Sequence, residues 1–239
     1  MLAKDPEQAA RTRTAIAAEY IKKGDLDAAK RHLEQALQAN PKSADANNMM
    51  GVLLQQEGSP MNLQRAETYF KRAIMLQPDY AQAHNNYGVY LSGQQRAAEA
   101  LQQFEIAGST LGYDGRASAL VNLARTALMM GDQKRAISAL QQAMNADRHS
   151  PSARLELAAL LLDQGDITEA NTQYSTYLRL VGGSPQTAAD VWLGMRLARL
   201  QQDGAQLQAL ADQLRSQYPT SDEYKHYMAI LQTSGAAWK

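Results

Sequence analysis

Cysteine is absent from the 239 residues, which excludes disulfides, thiolate metal sites and cysteine nucleophiles together. An excess of one charge is missing too, since 24 Lys plus Arg stand against 24 Asp plus Glu. Chains that wrap nucleic acid or coat an anionic membrane usually carry a basic surplus, so no nucleic-acid partner is expected. The longest unbroken apolar run is Leu157 to Leu162, far short of the ~20 residues of a membrane helix. Leu2-Ala3-Lys4-Asp5-Pro6 has no apolar stretch behind it, so no secretory signal peptide is read there. That leaves a cytosolic chain, or a mature form whose export signal has been removed. Valine and isoleucine number only 12 together, which disfavours sheets.

Alanine occurs 41 times and leucine 29 times, a helix-forming composition that predicts an all-α fold. So many alanines supply little side chain for one large core. They suit helices whose backbones approach closely, layer upon layer.

An internal repeat supports this. The spacing Tyr20, Gly24, Ala29, Leu33, Ala36, Pro41 returns as Leu54, Gly58, Ala66, Phe70, Ala73, Pro78, with three extra residues around Ser59-Pro60-Met61. Further copies read Leu91, Ala100, Phe104, Ala107, then Ala127, Gly131, Ala136, Leu140, Ala143, then Leu161, Gly165, Ala170, Tyr174, Tyr177. Units start near residues 10, 44, 81, 117 and 151. At the eighth, twentieth and twenty-seventh positions of five copies, 14 of 15 residues are Ala or Gly, Tyr177 being the exception. This pattern resembles the tetratricopeptide repeat, in which two antiparallel helices, A and B, meet at small residues. Gly24-Asp25, Gly131-Asp132 and Gly165-Asp166 place a left-handed stop beside an N-cap. Ser150-Pro151 and Ser184-Pro185 read as a cap and first-turn proline opening new A helices.

The expectation is a single superhelical solenoid over residues 1–239, with repeats at about 10–43, 44–80, 81–116, 117–150, 151–186 and 187–220. The sixth is degraded. Thr220-Ser221-Asp222-Glu223 resembles a capping box opening a last, capping helix at about 221–232.

Catalytic constellations are not read. Nucleophile-elbow, phosphate-loop and dinucleotide motifs are missing, and Gly108-Ser109-Thr110-Leu111-Gly112 and Gly182-Gly183 read as turns between helix pairs. His32, His84, His149 and His226 lie in separate repeats without metal-ligand spacing. No enzyme, cofactor or metal is expected.

A partner would lie along the A helices, whose second, fifth, ninth and twelfth positions share one face. In the second unit these include Asp45, Asn48 and Gln55, and in the third Gln82, Asn85 and Val89. Asparagine is a poor mid-helix residue, so its recurrence at Asn48 and Asn85 needs a reason. One reading has both hydrogen-bonding the backbone of a bound peptide; the others are a solvated face or a ladder between adjacent A helices. Later units carry an apolar stripe that includes Val121, Leu128, Leu155, Leu162, Val191 and Met195, with Arg125 and Arg199 near it. It either packs against the final helix or stays open for an apolar segment. Lys and Arg do not recur as in clamps for a C-terminal carboxylate, which disfavours a chaperone-tail adaptor.

Beyond the generic repeat, the chain resembles the PilW/PilF family of type IV pilus biogenesis lipoproteins. The likeness rests on residues 11–20 (RTRTAIAAEY), 84–88 (HNNYG), 192–198 (WLGMRLA) and 218–223 (YPTSDE), in that order and in the matching repeats. The resemblance implies a pilotin, binding the outer-membrane secretin subunit of the type IV pilus and promoting its localisation and multimerisation. It implies other pilus assembly proteins as further partners, and a place at the periplasmic face of the outer membrane. Membrane contact would come only through an N-terminal lipid anchor; a chain starting just after the lipidated cysteine, with Met1 as an added initiator, would read like this one. The alternative is a cytosolic adaptor or scaffold of the same fold that binds a peptide segment of another protein.

Overall fold

The computed structural model describes residues 5–233 and Trp238. Among them it has thirteen helices and no strand. In chain order these are α1 (Pro6–Lys22), α2 (Leu26–Ala39), α3 (Ala44–Glu57), α4 (Pro60–Leu76), α5 (Ala81–Gly93), α6 (Ala97–Ser109), α7 (Arg116–Met129), α8 (Gln133–Ala146), α9 (Pro151–Asp163), α10 (Ile167–Val181), α11 (Ala188–Leu200), α12 (Gly204–Gln217) and α13 (Asp222–Gln232). The chain forms two compact units, Met1–Ala139 and Leu140–Lys239, whose boundary falls inside α8.

Local chemistry sets the helix ends. Gly24, Gly131 and Gly165 take φ of +78°, +80° and +85°, a region that costs L-residues 1–2 kcal/mol or so and glycine almost nothing. Asp25, Asp132 and Asp166 follow and accept from the backbone N–H groups of Ala28, Arg135 and Glu169. The third and sixth units lack that glycine and force Gln95 and Gln202 to φ +60° instead. Ser59 caps α4 with Pro60 in its first turn, so the three extra residues lengthen α4 at its N-terminal end.

Within Met1–Ala139 consecutive helices pack in pairs, and the odd-numbered helices also form a layer: α1 touches α3, α3 touches α5 and α5 touches α7. The small positions lie where helices approach. Ala17, Ala29, Ala36, Ala66, Ala73, Ala100 and Ala107 are all fully buried. The chain's two phenylalanines show why two units use glycine instead of alanine at the eighth position. A Cβ on Gly51 would lie 2.7 Å from Cε1 of Phe70, and one on Gly88 only 2.6 Å from Cε1 of Phe104. The first unit has Ala17 and Leu33 at the same two positions, a smaller ring-free side chain with a methyl to spare. Size is thus traded across the A–B contact.

A charged network joins α4 to the α5–α6 turn. The Glu67 carboxylate accepts from Lys71 (2.9 Å), Arg96 (2.8 Å) and the Tyr87 hydroxyl (2.8 Å), and Arg96 also pairs with Glu99. Desolvation pushes the Glu67 carboxyl up, but the hydrogen bonds from Lys71, Arg96 and Tyr87 outweigh it and hold the group at about 2. A depressed folded-state value contributes stability above the unfolded value near 4.5, which is lost as pH falls towards 2. Thermal unfolding measured from pH 7 to pH 2 is therefore expected to show a melting-temperature gap between the wild type and Glu67→Gln that closes below about pH 4.5. A gap independent of pH would contradict this assignment.

Within Leu140–Lys239 α9 packs on α10, α11 touches α9 and α10, and α12 and α13 both pack on α11. One core cluster gathers Ala158, Leu162, Ala170, Tyr174, Tyr177, Leu193 and Leu197. Tyr177, the exception to the small-residue rule, is 5% exposed and donates its hydroxyl hydrogen bond to Asp190 Oδ2 at 2.8 Å. One helix start and one cap differ from the sequence expectation. Ser184-Pro185 does not open α11; Thr187 does, in a reciprocal capping box with Asp190, whose carboxylate Tyr177 fixes from α10. At α13 the cap is Ser221, which accepts from the Tyr224 N–H at 3.1 Å, and no reciprocal bond from Glu223 is made.

Candidate protein-binding face

Helical periodicity turns the second, fifth and sixth positions of α3, α5 and α7 towards one another across the odd-numbered layer of Met1–Ala139. The fifth position of one A helix accepts from the sixth position of the next. Asn86 Nδ2 donates to Asn48 Oδ1 at 3.1 Å, and Asn122 Nδ2 donates to Asn85 Oδ1 at 3.2 Å. Asn48 is fully buried and Asn85 is 9% exposed. Of the readings open from sequence, the geometry is that of the ladder between A helices. The ladder starts beside Met49 and stops at Val121, the apolar residues that stand where a further asparagine would be needed.

Tyrosines from the connecting segments flank it. The Tyr80 hydroxyl donates to Asp45 Oδ1 at 2.9 Å, and the Tyr113 hydroxyl donates to Gln82 Oε1 at 3.0 Å. Gln82 Nε2 in turn donates to Asn86 Oδ1 at 3.0 Å, so Tyr113, Gln82, Asn86 and Asn48 form one chain of hydrogen bonds. Burial, and next the Asp45 carboxylate, push the Tyr80 phenol upward; burial does the same to Tyr113. Both phenols therefore stay protonated donors at neutral pH.

The predicted face residues thus divide. Asp45, Asn48, Gln82 and Asn85 serve the internal network, and Val121 is 2% exposed. Val89 is 41% exposed, Arg125 is exposed and Gln55 is half-buried, so each keeps some surface that another chain can reach. Leu155 belongs to the compact unit Leu140–Lys239, where it packs half-buried against the cluster around Tyr174. Sequence reasoning missed Asn86, Asn122, Tyr80 and Tyr113. The doubled asparagine Asn85-Asn86 was the available signal, because it sets a donor and an acceptor side by side, one for each neighbouring A helix.

Within Leu140–Lys239 the apolar stripe of α11 is covered. Val191 and Met195 are fully buried with Ala211 and Leu214, and Tyr224 and Tyr227 of α13 pack over them. Among the described residues no group of three His, Asp or Glu side chains is placed to hold a metal ion, and no helix is long and apolar enough to cross a membrane.

Paired helices, buried small residues and an A-helix ladder define a helical-repeat scaffold, a class that works by presenting a face to another polypeptide. Two family profiles described as tetratricopeptide repeat match residues 20–60 with 127–189, and residues 62–109, together more than half of the chain. The Pseudomonas aeruginosa type IV pilus assembly protein PilF is 29% identical over 210 residues, covering 88% of this chain and 81% of that protein. A solved structure of Pseudomonas aeruginosa PilF has a TM-score of 0.85 at 29% identity, covering 95% of this chain and 99% of that one. The crystal structure of PilW, a widely conserved type IV pilus biogenesis factor, has a TM-score of 0.78 at 26% identity, covering 92% and 99%. The chain belongs to the tetratricopeptide-repeat family and is homologous to the PilF and PilW type IV pilus assembly proteins.

Proposed function

We propose that this protein is a type IV pilus assembly factor that binds the outer-membrane secretin subunit and promotes its localisation and multimerisation by protein–protein contact. The observation that supports this is the extent of the likeness to PilF, which spans 95% of this chain and 99% of that one rather than a helix pair or two. In this reading the partner segment lies along α3, α5 and α7, over Gln55, Val89 and Arg125, while the asparagine ladder keeps those helices in register. The protein sits at the periplasmic face of the outer membrane on an N-terminal lipid anchor, and other pilus assembly proteins are further partners. No reacting group is needed.

The test is made in a piliated strain lacking the gene, complemented with the wild type or with Val89→Glu. Secretin multimers, read by immunoblot of unboiled membranes, are expected to vanish in the deletion and return with the wild type. Val89→Glu introduces a charge at an exposed position and is expected to leave the melting temperature within about 2 °C while reducing multimers severalfold. Normal multimers in the deletion strain would refute the function; a deletion effect with full rescue by Val89→Glu would refute this face.

A further inference from the structure

The sixth unit carries a tryptophan, Trp192, at the position where the third and fourth units carry the ladder asparagines Asn86 and Asn122. Arg199 lies seven residues on, two turns along the same stripe of α11. Helix α13 packs beside α11 and adds Tyr227. Into the recess these residues form comes Trp238, from beyond the end of α13. Its ring lies parallel to that of Trp192, at 4° and 5.4 Å between centroids. The Arg199 guanidinium carbon is 4.8 Å from the Trp238 centroid, and Tyr227 meets the ring at 65° and 5.9 Å. His226 meets Trp192 edge-on at 5.3 Å and 86°.

A stacked ring, a cation over the π face and an aromatic edge are the three contacts by which proteins grip an aromatic group. Two of the walls stand apart from Trp238: Trp192 and Arg199 are on α11, which Val191 and Met195 anchor in the core with no exposed surface, while α13 packs beside them on α11 and α12. Without Trp238, the Trp192 face and the Arg199 guanidinium remain on α11 to receive an indole or phenol.

We propose that the recess between α11 and α13 is a docking site for an aromatic side chain carried on an extended segment of the partner protein, and that Trp238 fills it in the unbound chain. Partner binding at this place is then competitive with the protein's own Trp238. The proposal rests on the protein-binding reading above and names the chemistry that part of the partner must have.

The probe is a fluorescein-labelled hexapeptide, Ser-Gly-Ala-Ala-Trp-Lys, with its Trp→Ala version as control, followed by fluorescence anisotropy. A tethered competitor at an effective concentration of about 1 mM weakens probe binding by one plus the ratio of that concentration to the segment's Kd, so for a Kd of about 0.1 mM full-length Trp238→Ala is expected to bind the probe about tenfold more tightly than the wild type. The control peptide is expected not to bind, and adding Trp192→Ala to Trp238→Ala is expected to abolish binding, each protein being checked for native helicity. In parallel, excess probe added to the wild-type chain is expected to shift both tryptophan indole N–H resonances, a readout that needs no variant to fold. Equal affinity of the wild type and Trp238→Ala, binding that survives loss of Trp192, or indole resonances unmoved by saturating probe would each overturn the proposal. Failure here with secretin multimers still dependent on the protein removes the recess alone, and the converse removes the pilus reading alone.

Discussion

Phe104→Ala is expected to lower the unfolding free energy by about 3–5 kcal/mol, the range for emptying a buried aromatic site. The ring is 1% exposed and lies against Gly88, where there is no side chain to relax into the void. Neighbour-to-neighbour stacking carries the stability of repeat proteins, so a void inside one unit also weakens its contacts with the next. The opposite error is costly as well. Gly88→Leu pushes a side chain into space that Phe104 already fills and is expected to cost about 1–3 kcal/mol. The informative comparison is the pair. Gly88→Ala and Phe104→Leu each disturb the contact alone, yet together they recreate the alanine–leucine combination of Ala17 and Leu33. Urea unfolding of the double variant is therefore expected to recover at least half of the summed loss. Simple additivity of the two single changes would show that the ring and the glycine are not traded against each other.

Asp190→Ala is expected to cost about 2–4 kcal/mol, from two losses that coincide at one residue. The N3 half of the Thr187 capping box disappears, and the Tyr177 hydroxyl is left buried without its acceptor. Burial first, and then the hydrogen bond to the Asp190 carboxylate, push the Tyr177 phenol upward, so at neutral pH it is a protonated donor that needs this acceptor. Asp190→Asn retains a side-chain oxygen for Tyr177 and is expected to fall between the wild type and alanine. Thermal unfolding followed by circular dichroism measures all three. A change under about 0.5 kcal/mol for alanine would mean that α11 is positioned by its apolar face alone.

These two sites mark where the fold was readable and where it was not. Close helix approach demands a small residue at a fixed spacing, so Ala17, Ala29, Ala36, Gly88 and Ala100 announced the architecture directly. Tyr177 broke that rule, and its justification, Asp190, lies thirteen residues on in another helix. The same carboxylate explains why Ser184-Pro185, with every local credential of a helix start, remains in the loop after Gly182 and Gly183. Local chemistry proposes several caps, and a tertiary hydrogen bond selects one. The face was legible in direction but not in depth. Periodicity placed Asn48 and Asn85 together, while their burial depended on Asn86 and Asn122, which lie 38 and 37 residues away. The contact of Trp238 with Trp192 had no spacing signal at all.

The asparagine ladder also bears on how such an array changes length over generations. Every rung has the same polarity, with the later helix giving and the earlier one receiving, so any helix able to receive will suit any helix able to give. Splicing out residues 81–116 would bring Asn122 opposite Asn48 and leave Tyr80 bonded to Asp45. Copying the same stretch in tandem would add one rung and strand nothing. Met49 and Val121 act as terminators, so the segment between them is a cassette whose copy number can drift while its ends stay sealed.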